Sequence, residues 1–345
     1  MKPLKDIKIV DFSRLLPGPM GTHLLAELGA KVTKVNRSNS EDPVKNQPPF
    51  IHEISTLYFA LNYQKEEISI DFNHPEEKNE LLELIKKSDI LIEQFRPGVM
   101  KNWKLDYENL KNINPNLIYI SLTGYGQNGL MSQEAGHDIN YLALSGLLDL
   151  NRDENGKPLI PGAQIADIAA GAFQLQSACL AAVLERNRTQ KGLYLDLSMT
   201  DGLMPLLIFP LSQLWGGFDP MQLKILNGGL VNYNVYQCAD NKWIALGALE
   251  LKFWNSFCAA VEKQEWIKAN IVDLSVYNFD KTEIEILFRT KSRDQWADWA
   301  IGKNVCITPV IEIIELEDKK KETGEQKLIK ISCNGHEFGA IKNSY

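Results

Sequence analysis

Short apolar runs alternate with amphipathic segments through the first part of the chain. Runs rich in Ile, Val and Leu predict buried β-strands, at 7–12, 31–35, 90–93 and 117–122. Apolar residues at helical spacing predict helices, at 20–28 ending before Gly29 and at 75–87 beginning with Pro75. Strands and helices in repeated order predict an α/β protein with a parallel sheet and helices on its faces.

The second half of the chain changes from helical patterns to a separate small unit. Helices are predicted at 168–186 and from 201 to about 215, with a strand at 193–198 between them. The glycine-rich stretch 216–229 predicts the crossing into the second unit. That unit is expected to hold strands and helices, at 233–236, 242–246, 252–261 and 292–301. A charge run at 315–325 is predicted to be solvated, and the end of the chain returns to strand-like alternation. We therefore predict three parts: a large domain at 1–215, a small domain at 216–310 and a return segment at 311–345.

Composition and charge narrow the class of function. Hydrophobic residues make up 44% and charged residues 23% of the chain, as in ordinary globular proteins. The 37 basic against 44 acidic residues give a net charge of −7, which predicts no nucleic-acid partner and no anionic membrane partner. The five cysteines form no CxxC pair and no cluster with histidine, so neither a metal site nor a disulfide framework is predicted. With no signal-like or membrane-spanning apolar run, we expect a cytoplasmic protein.

Two arginines follow predicted strands, where parallel sheets bind their ligands. Arg37 comes after the second strand and Arg96 after the strand at 90–93, and guanidinium groups bind phosphate bidentately, although either arginine taken alone could be an ordinary solvated surface residue. The glycine-rich segment 123–129 also follows a strand and allows close approach to a ligand, although a plain surface loop would have the same composition. The turn at 18–21 lacks the GxGxxG spacing, which disfavours a dinucleotide cofactor.

Three further positions carry groups suited to proton transfer. His137 stands in AGHDINY (135–141) at the start of an apolar helix, where it is either a general acid/base or a capping histidine. Asp138 beside it can orient the ring or cap the helix. Asp167 opens a helix of small residues, at 169–172, that would leave space for a ligand; it is either an N-cap or a catalytic carboxylate. Glu250 follows an apolar strand and, taken alone, resembles a surface residue.

Together these segments resemble the family III CoA-transferases (CaiB/BaiF type), and among them the α-methylacyl-CoA racemases. The resemblance runs from about 9 to about 310 and is carried, in order, by SRLLPGPMGTHLLAELGAKVTKV, DILIEQFRPGV, LTGYGQNG, AGHDINYLALSG, ADIAAG, GLYLDLSMTDG, LNGG, GALELKFW and CITPV. It implies a Rossmann-like large domain that binds CoA, a smaller α+β domain and an interlaced homodimer.

The resemblance also implies roles for individual residues. Asp167 matches an aspartate that is an acid/base in the racemases and a covalent nucleophile in the transferases. His137 matches the second acid/base of the racemases, and Glu250 matches a glutamate that supports it. The implied CoA-binding residues are Arg37, Arg96, Tyr125, Gly126, Asp138 and Tyr141.

The expected function is racemisation or epimerisation of 2-methylacyl-CoA thioesters, by two-base exchange of the α-proton through an enolate. CoA is then the handle of the substrate, and no cofactor or metal is expected. Backbone amides near Asp167 or in 125–129 would stabilise the enolate. One alternative is a CoA-transferase with Asp167 as nucleophile. Another is a noncatalytic acyl-CoA-binding protein, suggested by segment 61–67, which has one lysine and two acids where the family commonly has a basic stretch.

Overall fold

The computed structural model describes residues 1–38, 40–219, 221, 225–268, 281–316 and 328–342. Contacts divide the chain into two compact units, one formed by Met1–Leu207 with Gly324–Tyr345 and the other by Ile208–Thr323. The predicted charge run at 315–325 lies outside the described residues from 317 onwards.

A six-stranded parallel sheet forms the centre of the first unit. The strands of this unit, in chain order, are β1 (Lys8–Asp11), β2 (Lys31–Arg37), β3 (Phe50–Ile51), β4 (Ile54–Ser55), β5 (Glu66–Ile70), β6 (Ile90–Glu93), β7 (Ile118–Thr123) and β8 (Leu193–Ser198). The order across the large sheet is β5-β2-β1-β6-β7-β8, and β3 pairs with β4 as a separate short hairpin. Every pairing in the large sheet is parallel, which confirms the prediction from the alternating strands and helices.

Helices cover both faces of this sheet. They are α1 (Pro17–Glu27), α2 (Thr56–Asn62), α3 (Pro75–Lys86), α4 (Val99–Asn102), α5 (Tyr107–Leu110), α6 (Asp138–Ser145) and α7 (Gln174–Thr189), with short 3₁₀ turns at Pro43–Asn46, Leu147–Leu150 and Asp201–Leu207. Ile90 and Ile92 belong to the core on the face of α1 and α7, whereas Leu91 belongs to the core on the face of α3. The central strands β6 and β7 are buried at every position, which matches their largely apolar sequences.

The chain reverses its direction of travel across the sheet at β1. Strand β2 pairs with one edge of β1 and β6 with the other, so Ile9 is in register with both Val32 and Ile90. At such a switch point the loops after the two neighbouring strands separate and leave a crevice beyond their carboxyl ends. The loops after β1 and β6 border this crevice.

The helix predicted at 168–186 consists of a π-helical segment followed by an α-helix. Residues Ala166–Phe173 form a π-helical segment, with i→i+5 hydrogen bonds, that continues directly into α7. A Cβ added at Gly171 would lie 2.5 Å from the Cβ of Pro17, and Ala170 and Ala172 are fully buried. These three residues therefore let the segment pack against α1, and the expectation that they leave space for a ligand is wrong for them. By length and mean hydropathy alone, Ala166–Thr189 could also cross a membrane.

The second unit contains an antiparallel sheet flanked by helices. Its elements are α8 (Ile208–Trp215), β9 (Tyr233–Gln237), β10 (Trp243–Gly247), α9 (Leu251–Ala260), α10 (Lys281–Phe288), α11 (Arg293–Ala300) and β11 (Ile307–Pro309), with 3₁₀ turns at Gln264–Lys268 and Ile313–Glu315. The helix predicted from 201 to 215 is split, because Pro205 lies in a 3₁₀ turn that precedes α8. Glu315, predicted to be solvated, instead forms a bidentate ion pair with Arg293, so that part of the prediction is wrong.

The end of the chain returns to the first unit as a hairpin of β12 (Leu328–Cys333) and β13 (His336–Ile341). The ring of Phe338 stacks on Phe59 of α2 with centroids 4.1 Å apart. The predicted strand-like alternation at the end of the chain is confirmed for these residues.

Candidate active site

A cleft of about 370 Å³ opens at the switch point of the large sheet, on the face that carries α3. Three arginines line it: Arg14 follows β1, Arg37 ends β2 and Arg96 follows β6. The side chains of two of them lie over aromatic rings, with Arg14 5.2 Å from the centroid of Phe95 and Arg37 5.6 Å from that of Trp103. Rings stacked against guanidinium groups restrict their rotation while leaving their N–H groups able to bind a ligand.

The donors of this cleft are suited to an anion. The Nε of Arg37 is buried and has no hydrogen-bond acceptor within the described part of the chain. Arg96 is exposed, and no carboxylate among the described residues pairs with it. Because a buried, unsatisfied donor is costly, a phosphate in the cleft would supply the missing acceptor. The structure thus brings the predicted Arg37 and Arg96 together in one cleft.

Arg14 is a cleft residue that the sequence reasoning missed. It lies two positions beyond a predicted strand, as Arg37 and Arg96 also follow strands, so the same argument applied to 7–12 would have found it. It also stands within the SRLLPGP segment that carries the family resemblance.

A fully buried cluster of charges supports the loop that holds Arg14. The ammonium of Lys65 lies 3.2 Å from Asp11 Oδ2, and that of Lys34 donates to the carbonyl of Ser13 and lies 3.2 Å from Asp42 Oδ2. Burial alone would raise the pKa of Asp11, but the two ammonium groups hold it below its ordinary value. Lys65 therefore serves the fold and does not reach the cleft. Arg14 supplies a cation to the cleft, whereas segment 61–67, which is commonly basic in the family, does not.

His137 lies at the N-terminus of α6, as predicted. It is exposed, and its backbone amide donates to Oδ1 of Asn140 at 3.0 Å. That bond satisfies an amide at the start of the helix. The next residue, Asp138, is half-buried and is turned toward the π-helical segment.

Asp167 is joined to α6 through its backbone. Its amide donates to Oδ1 of Asp138 at 2.9 Å. It is the second residue of the π-helical segment rather than an N-cap, so the capping alternative is wrong. Burial of its carboxyl, with the nearby charge of Asp138, raises the pKa of Asp167 to about 7. Such a group exchanges a proton readily near neutral pH.

Two of the amides proposed to stabilise an enolate already have acceptors. The amide of Asp167 donates to Asp138, and the amide of Gln127 donates to both carboxylate oxygens of Asp196, at 3.1 and 3.0 Å. For these two amides the expectation is wrong, because an oxyanion donor has to be free when charge develops.

The predicted CoA-binding aromatic residues pack against each other. Tyr125 and Tyr141 meet edge to face with centroids 5.2 Å apart, and the hydroxyl of buried Tyr141 donates to the carbonyl of Gly136 at 2.6 Å. A Cβ at Gly136 would lie 2.5 Å from the hydroxyl of Tyr125, so only glycine fits there. Gly126 is buried with a φ of +82° in the loop after β7. These contacts fix the loop that leads into His137.

Glu250 lies in the second unit, immediately before α9, and is exposed. Among the described residues, no group of three or more His, Cys, Asp or Glu side chains is arranged to hold a metal ion.

Comparisons with known proteins identify the family of this chain. The family model of CoA-transferase family III matches residues 4–338. The chain is 32% identical to α-methylacyl-CoA racemase of Homo sapiens over 327 residues, which cover 93% of this chain and 81% of that protein. It is also 32% identical to succinyl-CoA:glutarate CoA-transferase of Homo sapiens over 318 residues, 90% of this chain and 72% of that protein. The crystal structure of a CAIB/BAIF family protein from Brucella suis matches with a TM-score of 0.83 and 25% identity, over 99% of this chain and 92% of that one. The chain therefore belongs to CoA-transferase family III.

Proposed function

We propose that this protein is a racemase or epimerase of 2-methylacyl-CoA thioesters. The observation that carries the proposal is the bond between Asp138 and Asp167, which ties the π-helical segment to the end of α6 where His137 stands. Two titratable groups are thereby held on connected elements, and one of them has its pKa raised to about 7 by burial and by Asp138. Two acid/base groups of different character are what α-proton exchange requires.

In the proposed reaction, one group removes the α-proton of the thioester and the bonding pair moves into an enolate. The other group returns a proton to the opposite face of the same carbon. His137 and Asp167 are assigned to the two faces, so they exchange protonation states in each turnover and reset with solvent. The reaction needs no cofactor, because the thioester itself acidifies the α-carbon.

Coenzyme A is the proposed handle of the substrate, with its phosphates in the cleft formed by Arg14, Arg37 and Arg96. Phosphates bind guanidinium groups bidentately, and these three come from three neighbouring strands. We also propose a cytoplasmic homodimer in which Glu250 of one chain supports His137 of the other.

A CoA-transferase is the second candidate, favoured by the 32% identity to succinyl-CoA:glutarate CoA-transferase. In that reaction a carboxylate oxygen of Asp167 attacks the thioester carbonyl, an acyl–aspartyl anhydride forms and CoA leaves as the thiolate. A carboxyl with a pKa of about 7 is partly neutral at physiological pH, which suits proton transfer better than nucleophilic attack.

The deciding experiment is deuterium exchange in D₂O with 2-methylbutanoyl-CoA and 2-methyldecanoyl-CoA. We expect deuterium at C2 together with loss of chirality, and a decrease of about 10²–10⁴-fold in His137→Ala and Asp167→Asn. Exposed Asp298→Asn is the matched control and should exchange at the wild-type rate.

Trapping tests the second candidate on the same samples. After incubation with acyl-CoA and hydroxylamine or borohydride, mass spectrometry should find Asp167 unmodified in a racemase. A modified Asp167 without exchange at C2 would establish the transferase instead.

A further inference from the structure

A buried glutamate that the proposed mechanism does not use holds the loop that carries Arg96. Glu93 ends β6 and is 3% exposed. Its Oε2 accepts a hydrogen bond from the backbone amide of Phe95 at 2.8 Å, and Ser121 of β7 also bonds to this carboxyl. The loop after β6 is therefore anchored to the sheet at its first turn.

Phe95, whose amide bonds to Glu93, is also linked through its ring to the other two arginines of the first cleft. Its ring lies 5.2 Å from the guanidinium carbon of Arg14 and meets Trp103 edge to face at 5.0 Å. Trp103 in turn lies under Arg37. A displacement of the Phe95 backbone would move the ring against which Arg14 packs and would carry Arg96 with it.

A second cleft, of about 250 Å³, lies on the Glu93 side of this loop. Arg96 lines both clefts, and Glu93 lines only the second. Polar and charged groups around this second cleft come from every neighbouring element: Tyr119, Ser121, Tyr194, Lys101, Asp106 and Glu108. With several carboxylates on that side, an unanchored Arg96 has alternative partners away from the first cleft.

The geometry points to Glu93 as a positioning residue: its carboxyl holds the Phe95 amide and thereby keeps Arg96 in the first cleft, where it binds the phosphates of CoA. This inference rests on the proposed function, because it assumes that the cleft holds the CoA handle. Glu93 touches no part of the substrate in this scheme and acts through the loop.

The test measures binding of free CoA by calorimetry, with no turnover involved. Glu93→Ala and Glu93→Leu remove the acceptor of the Phe95 amide, and Glu93→Leu does so at nearly unchanged side-chain volume. Both should weaken binding of CoA by about 10-fold, as the loss of one hydrogen bond allows. Glu93→Gln keeps an acceptor for the Phe95 amide and should stay within about 3-fold of wild type. Exposed Glu80→Ala on α3 is the matched control and should bind as wild type does.

A double-mutant cycle with Arg96→Ala distinguishes positioning from general damage. If Glu93 acts mainly through Arg96, Glu93→Leu should weaken CoA binding clearly less in the Arg96→Ala background than in the wild-type background, and any remaining loss is assigned to Arg14, which packs on Phe95. An equal loss in both backgrounds, or equal losses in Glu93→Gln and Glu93→Leu, would overturn the inference. Absence of CoA binding by the wild type would overturn the proposed function itself, whereas wild-type binding with an unaffected Glu93→Leu overturns only the role of Glu93.

Discussion

The carboxylate of Asp138 accepts a hydrogen bond from the backbone amide of Asp167 at 2.9 Å, across 29 positions of sequence. This bond has two effects. It fixes the start of the π-helical segment against α6, and it brings a negative charge near the Asp167 carboxyl. The second effect adds to burial in raising the pKa of Asp167.

Asp138→Asn separates these two effects, because the amide oxygen still accepts the bond while the charge is gone. We expect the pKa of Asp167 to fall toward its ordinary value, and the limb of the kcat/KM profile near pH 7 to move to lower pH. NMR titration of ¹³C-labelled aspartate measures the pKa directly. Asp138→Ala, which also loses the bond, should lower kcat by about 10-fold. A profile unchanged in Asp138→Asn would remove Asp138 from the titration of Asp167.

Asp167 should make the folding stability depend on pH. Its pKa is 3.8 ordinarily and about 7 in the folded protein, so the folded state binds the proton more tightly. The stability that this proton provides is full below about pH 4 and is lost as pH rises through 7. The Tm of Asp167→Asn relative to wild type should therefore increase from pH 4 to pH 7 and then level off. Asp298→Asn serves as control, and a pH-independent difference in Tm would contradict the raised pKa.

Arg96→Ala should raise KM for acyl-CoA by about 10-fold or more and change kcat by less than about 3-fold. Phosphate contacts far from the reacting carbon are equal in the ground and transition states, so their loss appears in KM. Arg188→Ala, on the exposed side of α7, should leave both constants unchanged. A KM for Arg96→Ala equal to that of wild type would exclude this residue from the phosphate site.

Lys65→Met should lower the free energy of unfolding by about 3–5 kcal/mol, because buried Asp11 would lose the ammonium with which it pairs and would keep only Lys34 as a nearby cation. Lys31→Met is the control: its pair with Glu66 is exposed and should contribute at most about 1 kcal/mol. Urea unfolding monitored by circular dichroism measures both. Similar decreases in the free energy of unfolding for the two variants would show that water reaches the Lys65–Asp11 pair in solution.

Mixing inactive His137→Ala and Glu250→Gln chains tests the proposed sharing of sites in a dimer. If Glu250 acts on the His137 of the other chain, a mixed dimer contains one site free of both lesions and activity returns. Each variant alone, taken through the same exchange procedure, should stay inactive. Inactive mixed dimers, verified by mass spectrometry, would show that Glu250 acts within its own chain or that the sites are not shared.

The sheet of the first unit could be predicted because its signals are local. Residues 90–92 are apolar at every position, which is the pattern of a strand buried on both faces, and Pro75 marks the start of α3 in the sequence. Arg37 and Arg96 were placed at one rim by the same rule, since parallel strands end at a common edge.

Contacts between distant segments could not be predicted in this way. The buried pairing of Lys65 with Asp11 joins residues 54 positions apart, and nothing near Lys65 in the sequence distinguishes it from a surface lysine. The small residues at 169–172 are equally compatible with space for a ligand and with close packing. Only the position of Pro17 opposite Gly171 decides between them.

Because Ala166–Phe173 is π-helical, the position of the Asp167 carboxyl depends on the number of residues in this segment as well as on their types. Each residue of an α-helix turns the chain by about 100° around the axis. The number of residues in a wide turn therefore determines the direction in which the side chains before that turn point. Inserting one residue between Asp167 and Leu175, while Leu175 stayed in the core, would add to a segment whose turns are already wide. The carboxyl of Asp167 would then be rotated by about a quarter of a turn and its amide would leave Asp138. An insertion here would therefore act like a substitution of the aspartate itself, with every residue of the site still present.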